Sequence, residues 1–199
     1  MPTLVTYQIT GISTLSQSKP HSAEQLPGES HDDYKQRTWR EHLHCNAEGM
    51  IFIPPNAMKN GLSESAKFMN ISIPGKGKNT YTKHVEAGVA CIKPIMLGLH
   101  KDKIDYEKLF LPADGRRGSG KRVWKWFPYI PVWGGDVELV ILDETVLQTS
   151  HRSGEPILLD LLEGMGQYIG LGRFRPRNNG YYGRFTVSDF KVQTLSLAA

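Results

Sequence analysis

Residues 164–185 read GMGQYIGLGRFRPRNNGYYGRF, and we call them the Gly–Arg segment. The segment holds six glycines and four arginines, and it contains no Asp or Glu. Glycine loses more conformational freedom on folding than any other residue, so a dense cluster indicates backbone that turns sharply or approaches another group closely. Arginine binds phosphates and carboxylates through paired hydrogen bonds, so the four arginines indicate that this group is an anion.

The Gly–Arg segment lies between a predicted helix and a predicted strand. Residues 155–168, EPILLDLLEGMGQY, favour a helix with Pro156 in its first turn, and residues 184–195, RFTVSDFKVQTL, have strand character. Near the other end of the chain, residues 3–9 alternate apolar and polar side chains, and residues 136–143, DVELVILD, do the same. Both stretches therefore predict strands with one buried face.

The middle of the chain predicts another strand and helix. The apolar run MIFIPP predicts a short strand ended by prolines, and residues 56–70 then favour a helix with Asn56 as its N-cap. Residues 85–97, VEAGVACIKPIML, predict a buried strand. One face of the predicted helix would carry Met58, Leu62, Ala66 and Met69.

Less regular stretches separate these elements. They predict a long loop at 12–30, a short helix within 30–44 capped by Ser30 or Asp32, a basic glycine loop at 73–84 and a protruding loop or hairpin at 104–135. The order strand, helix, strand, insertion, strand, helix, strand is typical of an α+β, ferredoxin-like (RRM-related) βαββαβ core with long insertions. We expect a single domain over residues 1–199.

Composition is that of a globular protein. No stretch approaches the roughly 20 apolar residues that a membrane span needs, and the N-terminus does not resemble a secretory signal, so we expect a cytoplasmic protein without membrane partners.

The two cysteines, Cys45 and Cys91, form no CxxC pair. His42, His44 and Cys45 supply at most three ligands, whereas a closed zinc site needs four, so we expect no metal and no cofactor.

Positive charge is concentrated in three windows without Asp or Glu. Residues 75–84, 115–135 and 164–188 together hold 12 of the 24 basic residues, which leaves 12 basic against 20 acidic residues elsewhere. Such segregation is typical of proteins that bind a polyanion, because phosphate neutralisation releases counterions. The alternative is that the windows are three unrelated solvated loops.

The second window contains a string that nearly matches a nucleotide-binding P-loop. In GRRGSGKR the residue after Lys121 is Arg122, where magnesium binding needs Ser or Thr, and the following VWKWFPYIPVW does not favour a helix. We therefore reject ATP or GTP hydrolysis. Cations interleaved with Trp124 and Trp126 instead suit single-stranded nucleic acid, although these aromatics could equally pack in the core.

Catalytic motifs are weak. The chain has no GxSxG motif, and the candidates for acid–base chemistry are His31, Asp32, Asp33 and His44. Adjacent aspartates are more simply explained as the start of a helix, where Asp is favoured. We therefore assign no catalytic residue.

Three stretches resemble the RAMP superfamily of CRISPR-associated RNA-binding proteins. They are VTYQITGISTLS, FIPPNAMKNGLSESAKFM and above all IGLGRFRPRNNGYYGRFTV. The resemblance implies that Asn56–Asn70 form the first helix and that residues 104–135 form a thumb like that of guide-RNA backbone subunits. It also implies a glycine-rich loop before the last strand, containing Gly166, Gly170, Gly172, Gly180 and Gly183, whose backbone amides turn toward phosphates.

The function implied by this resemblance is that of a non-enzymatic subunit that oligomerises along guide RNA with copies of itself and other effector subunits in an antiviral ribonucleoprotein. One alternative is a RAMP-type endoribonuclease that uses His31, His42 or His44 as general base. Another is a phage or mobile-element relative that binds single-stranded nucleic acid and interferes with such a complex. The expected RNA-binding residues are Lys76, Lys78, Arg116, Arg117, Lys121, Arg122, Trp124, Trp126, Gly170, Gly172, Arg173, Arg175, Arg177 and Arg184.

Overall fold

The computed structural model describes residues 3–113 and 120–194. Strands and helices alternate along the chain in a mixed arrangement. In order they are β1 (Thr3–Gly11), α1 (His31–Thr38), β2 (Met50–Ile53), α2 (Pro55–Met69), α3 (Thr82–Gly88), β3 (Val89–Cys91), β4 (Ile95–His100), β5 (Asp105–Pro112), β6 (Arg122–Tyr129), β7 (Gly134–Ile141), α4 (Ile157–Gly164) and β8 (Phe185–Thr194).

A four-stranded antiparallel sheet organises the chain. Its order is β3-β7-β1-β8, so β1 pairs with β7 on one side and β8 on the other. The alternation in β1 places Val5, Tyr7 and Ile9 on one buried face, while Gln8 and Thr10 are exposed on the other. The predictions of strands at 3–9, 136–143 and 184–195 are therefore confirmed.

Helices α2 and α4 cover the apolar face of this sheet. Ser65 of α2 donates a hydrogen bond to the carbonyl oxygen of Leu161 in α4 at 2.7 Å, and the Tyr7 hydroxyl lies 3.5 Å from the Met58 sulfur. Full burial of each Leu or Met contributes about 1.5–3 kcal/mol to folding. The buried residues of the two helices include Met58, Leu62, Ala66, Leu158, Leu161 and Leu162.

Among the described residues, no helix is long and apolar enough to cross a membrane.

The opposite face of the sheet is largely polar, apart from the cross-strand pair Leu4 and Val140. In the described part of the chain, β1 presents Thr6, Gln8 and Thr10 there, and β7 presents Asp136 and Glu138. The Glu138 carboxylate pairs with the Lys93 ammonium at 2.7 Å. No aromatic ring of these two central strands lies on this face, so it lacks the stacking surface by which RRM sheets hold bases.

Two smaller sheets complete the architecture. β2 pairs with β4, and β5 pairs with β6 in an antiparallel hairpin that extends from Asp105 opposite Tyr129 to Pro112 opposite Arg122. The prediction of a hairpin within 104–135 is confirmed.

The short helix α1 also begins as predicted, because the Ser30 side chain accepts a hydrogen bond from the backbone N–H of Asp33 at 3.2 Å.

Two predictions of local structure are wrong. Helix α2 begins before Asn56, with Pro54 as N-cap and Pro55 in the first turn. A proline there loses nothing by lacking an N–H, because the first amides of a helix have no partner within it. Residues 85–97 are not one strand, since α3 continues to Gly88 before β3 begins, and β4 starts only after Pro94.

The Gly–Arg segment folds onto the residues that follow β1. The backbone N–H of Gly183 donates to the Thr14 carbonyl at 2.8 Å, and that of Arg173 donates to the Ser16 carbonyl at 2.7 Å. Gly183 has a φ of 70°, and a Cβ added to it would collide with the Leu171 carbonyl. Glycine is therefore required at position 183 for both conformation and space.

We predict that Gly183→Ala lowers the free energy of unfolding by at least about 2 kcal/mol, since left-handed backbone alone costs an alanine of order 1–3 kcal/mol. Urea denaturation followed by circular dichroism measures this change. Gly120→Ala is the matched control, because Gly120 has open space around its Cβ position. Equal stability of the two variants would contradict the assigned packing.

Candidate nucleic-acid interface

Two adjoining clefts lie where the insertions meet the Gly–Arg segment. The first has a volume of about 500 Å³, the second of about 340 Å³, and Ser18 lines both. The first cleft is lined by Ser18, His21, Tyr34, Lys35, Thr38, His42, Lys125, Trp126, Phe127 and Arg173. The second is lined by Leu15, Gln17, Ser18, Lys19, Pro20, His44, Ile53, Pro54, Ala57, Asn60, Leu171, Gly172, Arg175 and Asn178.

The first cleft concentrates positive charge. Lys35 from α1, Lys125 from β6 and Arg173 from the Gly–Arg segment line it, and its described lining includes no Asp or Glu. Burial lowers the pKa of Lys35, and the charges of Lys125 and Arg173 lower it further, although Asp32 opposes them. The three cations are thus close enough to repel one another, which favours binding of an anion between them.

Arg173 is held by aromatic rings. Its guanidinium carbon lies 3.1 Å from the Phe127 ring centroid and 4.3 Å from that of Phe174. Burial lowers the pKa of Arg173 to about 10, and the negative charge of Glu107 opposes this effect. Glu107 in turn accepts a hydrogen bond from the Tyr182 hydroxyl at 2.7 Å. The cation is therefore fixed in place before any ligand arrives.

Two histidines share the first cleft. The ring centroids of His21 and His42 lie 4.8 Å apart in an edge-to-face arrangement, and Nδ1 of His42 lies 3.0 Å from the Lys19 carbonyl oxygen. Burial lowers the pKa of His42, the Lys19 carbonyl raises it, and the charges of His21, Arg173 and Lys35 lower it again. His42 is thus held in its neutral form near neutral pH.

The second cleft carries less net charge. Arg175 pairs with Glu64 at 3.1 Å, which leaves Lys19 as its other permanent cation among the described lining residues. Burial lowers the pKa of His44, and the charge of Lys19 adds to this effect. The backbone N–H of His44 donates to the Gln17 side chain at 2.7 Å, which fixes this wall of the cleft.

Backbone amides of the Gly–Arg segment are largely used inside the protein. The N–H of Gly170 donates to the Met165 carbonyl at 2.8 Å, and that of Leu171 donates to Gly183 at 2.9 Å. A Cβ on Gly172 would meet the Ser16 carbonyl. The glycines therefore serve close packing of the loop, and the positive charge of the site comes from side chains rather than from amides turned toward phosphate.

The β5–β6 hairpin separates the aromatic residues into two groups. Trp126 is 4% exposed and Phe127 is 6% exposed, so both lie mainly in the protein interior. Trp124 is 41% exposed, and its ring centroid lies 5.1 Å from that of Phe110. The Lys108 ammonium lies 4.8 Å from the Trp124 ring centroid. An exposed stacking surface therefore exists at Trp124 but not at Trp126.

The remaining predicted RNA-binding residues are dispersed. Lys121 and Arg122 lie near the hairpin tip, where Arg122 donates to the Phe110 carbonyl at 2.9 Å. Arg184 is half-buried and donates to the Gln167 carbonyl at 3.2 Å, whereas Arg177 is exposed. Arg116 and Arg117 lie outside the described residues.

Lys76 and Lys78 are not brought to the clefts. They lie in the loop after the C-terminal end of α2, whereas Pro54 and Ala57 at its N-terminal end line the second cleft. The 15 residues of α2 span roughly 22 Å. These two lysines therefore belong to a different part of the surface.

The weak catalytic candidates fall into two groups. His31, Asp32 and Asp33 form the exposed start of α1, where the Ser30 hydroxyl donates to the Asp33 carboxylate at 2.6 Å. This geometry supports their interpretation as a helix start. His44 instead lines the second cleft. Residues 3–113 and 120–194 contain no group of three or more His, Cys, Asp or Glu positioned to hold a metal ion.

Sequence reasoning missed four residues of the clefts. Lys125 lies in the second basic window but is not among the expected RNA-binding residues. Lys19 and His21 lie in an irregular stretch without a charge cluster, and Lys35 lies among the acidic and polar residues of α1. Their proximity to Arg173 depends on the path of the insertion, which has no periodic pattern. The side chains of Tyr34, Lys35 and Thr38 share a helix face at i, i+1 and i+4, which is a weak signal by itself.

Comparisons with known proteins identify similarity at the level of the fold. No protein-family model matches the sequence, and no curated protein matches it either. The chain superposes on a chain of the Type III-B Cmr-beta structure, determined by cryo-EM with cognate target RNA bound, with a TM-score of 0.57 and 12% identity. That match covers 97% of this chain and 61% of the other, so this chain spans about three fifths of its length.

A second structure, the crystal structure of Cmr6 from Pyrococcus furiosus, aligns with a TM-score of 0.43 and 11% identity over 94% of this chain and 98% of that one. At 12% identity, the superposition on the Cmr-beta chain indicates a common architecture and not a common activity. The chain therefore has an α+β fold with antiparallel sheets that also occurs in a chain of the Type III-B Cmr-beta structure.

Proposed function

We propose that this chain is an RNA-binding subunit of a CRISPR-type ribonucleoprotein and a member of the RAMP superfamily. The observation that carries the proposal is the first cleft, in which Lys35, Lys125 and Arg173 converge from three elements without a described acidic residue in the lining. Such a site binds phosphate through charge, and a single-stranded RNA backbone is the polyanion that fits a narrow cleft with aromatic walls.

The strand order supports a ferredoxin-like core within this proposal. Elements β1, α2, β3, β7, α4 and β8 follow one another as β, α, β, β, α, β, and their antiparallel sheet has the order β3-β7-β1-β8. Both helices lie on one face of that sheet. The other elements are then insertions, and the clefts form between these insertions and the Gly–Arg segment.

The proposed RNA contact has little sequence preference. The cations of the first cleft suit phosphate groups, which are the same for every base. The open sheet face carries Gln8, Asp136 and Glu138, which offer no stacking platform, and the two carboxylates repel phosphate. Base reading of the RRM kind is therefore not expected, and this suits a subunit that must hold any guide sequence.

We also propose that copies of this chain assemble side by side along guide RNA. The β5–β6 hairpin presents Lys108, Phe110, Arg122 and Trp124 on its surface, with Phe110 46% and Trp124 41% exposed. A basic aromatic hairpin of this kind suits a thumb that contacts RNA beside a neighbouring subunit. We propose copies of this chain and other effector subunits as its protein partners.

We predict that the Lys35→Ala and Arg173→Ala variants each weaken binding of unstructured RNA by about tenfold, since a hydrogen bond to a charged group contributes about 1.5–3 kcal/mol. The loss should be similar for RNAs of different sequence. Each variant should also reduce the slope of log affinity against log salt by about 0.7 per lost phosphate contact. Fluorescence anisotropy titrations at several salt concentrations measure both quantities.

Lys83→Ala provides the matched control for these titrations. Lys83 is exposed on α3, and no residue of α3 lines either cleft. Its substitution removes the same charge from the protein without touching the proposed interface. Wild-type affinity in both Lys35→Ala and Arg173→Ala would refute the assignment of RNA binding to the first cleft.

A second candidate function is metal-independent RNA cleavage, and the His21–His42 pair favours it. The two rings lie 4.8 Å apart beside Lys35 and Arg173. Neutral His42 could remove the proton of a ribose 2′-hydroxyl, which attacks the adjacent phosphorus. His21 would then donate a proton to the departing 5′-oxygen, leaving a 2′,3′-cyclic phosphate and a 5′-hydroxyl.

We predict for this candidate that RNA is cleaved in the presence of EDTA and that His42→Ala and His21→Ala each reduce the rate at least about 100-fold, the usual contribution of a general acid or base. Gel analysis of labelled RNA and of its end groups measures rate and product. His151→Ala is the control, because His151 is exposed and lines neither of the two clefts. Intact RNA after prolonged incubation with the wild-type protein would remove this candidate and leave the binding role.

A further inference from the structure

A third cleft lies at the C-terminal end of α2, away from the two clefts described above. It has a volume of about 290 Å³ and is formed by the end of that helix, the loop at 71–81 and the loop at 149–157. No side chain of a named set of four lining residues forms a hydrogen bond or an ion pair with another described residue: Asn70, Ser72, Thr149 and Arg152. The cleft therefore offers polar groups that the fold itself does not use.

Two lysines lie at the tip of the loop that forms one wall of the third cleft. A backbone bridge between Ser72 and Thr80 closes this loop, and Ser72 at its base lines the cleft. Lys76 and Lys78 at its tip are exposed, and neither side chain has a partner in the described part of the chain. With Arg152 they are the three cations of this site.

Two acidic residues belong to the same region. The Asp160 carboxylate accepts a hydrogen bond from the hydroxyl of Ser150, which lines the cleft, and Glu155 is exposed in the loop that carries Arg152. Within residues 3–113 and 120–194, neither carboxylate forms an ion pair with any of the three cations. The cations remain available to a ligand, and the uncharged polar side chains add hydrogen bonds to their charge.

One polar face of α2 connects the second cleft to the third. Asn60 lines the second cleft, and Asn70, which caps the C-terminal end of the helix, lines the third. Between them Ser63 and Lys67 follow at spacings of three and four residues, so these side chains share one side of the helix. Ten residues of helix rise by about 15 Å, which is the distance along the axis between the two clefts.

The charged side chains on and beside this face are paired with each other. Lys67 forms an ion pair with Glu86 at 2.6 Å, and Glu64 forms one with Arg175 at 3.1 Å. A phosphate chain that crosses the face therefore meets no unpaired carboxylate among its described residues. The face suits passage of a strand, whereas the clefts at its two ends suit binding.

We propose that a single RNA strand contacts both ends of α2. The strand is bound in the first cleft, passes the second, follows the polar face of the helix and is bound again in the third cleft. There Arg152, Lys76 and Lys78 contact phosphates, and the hydroxyl and amide side chains contact phosphate or sugar, as Ser, Thr and Asn commonly do. This proposal rests on the RNA-binding role proposed above and adds a second contact to it.

The test compares two unstructured RNAs, a 20-mer and a 4-mer, in anisotropy titrations at several salt concentrations. We expect Arg152→Ala and the double variant Lys76→Ala/Lys78→Ala each to weaken binding of the 20-mer by about tenfold. The slope of log affinity against log salt should fall by about 0.7 for each lost phosphate contact. Binding of the 4-mer, which the first cleft holds, should change by less than twofold.

Lys191→Ala is the matched control for the third cleft. Lys191 is exposed on β8 and lines none of the three clefts. This variant loses one positive charge and should bind both RNAs as the wild-type protein does. Arg152→Ala and the double lysine variant change different loops, and if one of them shows a lower temperature of thermal unfolding, the other serves as the test.

Hydrogen exchange locates the second contact independently of the variants. Backbone amides of residues 71–81 and 149–157 should exchange more slowly in the presence of the 20-mer, and the 4-mer should leave their rates unchanged. Slower exchange in these loops with the 20-mer supports the proposed path. Unchanged exchange there at saturating 20-mer would overturn it.

The outcomes separate this inference from the function on which it rests. If Lys35→Ala weakens binding of the 20-mer but the third-cleft variants match Lys191→Ala, the path along α2 is overturned and the binding role stays. An equal loss of affinity for both RNAs in the third-cleft variants would also overturn it, because the third cleft would then bind RNA by itself. Failure of the wild-type protein to bind either RNA would remove both proposals.

Discussion

The candidate site depends on the docking of the Gly–Arg segment against the residues that follow β1. Three backbone hydrogen bonds make this contact, from Gly183 to Thr14, from Arg173 to Ser16 and from Ile12 to Arg184. They place the loop before β8 beside the insertion after β1, although 150 or more residues of chain lie between them. Without this contact the arginines of the loop would have no fixed relation to α1 or to the hairpin.

The sheet positions the site without forming it. Its apolar face is filled by α2 and α4, and its open face is polar and partly acidic. The positive charge of the first cleft therefore arises outside the sheet: α1 contributes Lys35, β6 contributes Lys125, and the Gly–Arg segment contributes Arg173. In physical terms, the core provides rigidity, and the segments with the least regular sequence provide the chemistry.

The elements that the sequence predicts correctly are those with a regular pattern of apolar and polar residues. β1, β7 and β8 follow from alternating side chains, whereas Val85 to Leu97 is largely apolar without a clear period, so its sequence does not separate α3, β3 and β4. Arg173 and Arg175 were identified because glycine and arginine cluster there. Charge alone groups Lys76 and Lys78 with them, yet both lysines follow the C-terminal end of α2, whereas the N-terminal end of that helix lines the second cleft. Lys35 could not be found, because only the folded insertion brings it to Arg173.

The hydrogen bond between Tyr182 and Glu107 connects the Gly–Arg segment to strand β5 of the hairpin. Glu107 also acts on the charge of Arg173, and Phe127 of the same hairpin supports its guanidinium. The position of the hairpin and the position of the Arg173 guanidinium are therefore coupled. Under the proposed RNA-binding role, a neighbouring molecule that shifts the hairpin would change the affinity for RNA, and by thermodynamic reciprocity bound RNA would change the affinity for that neighbour by the same factor.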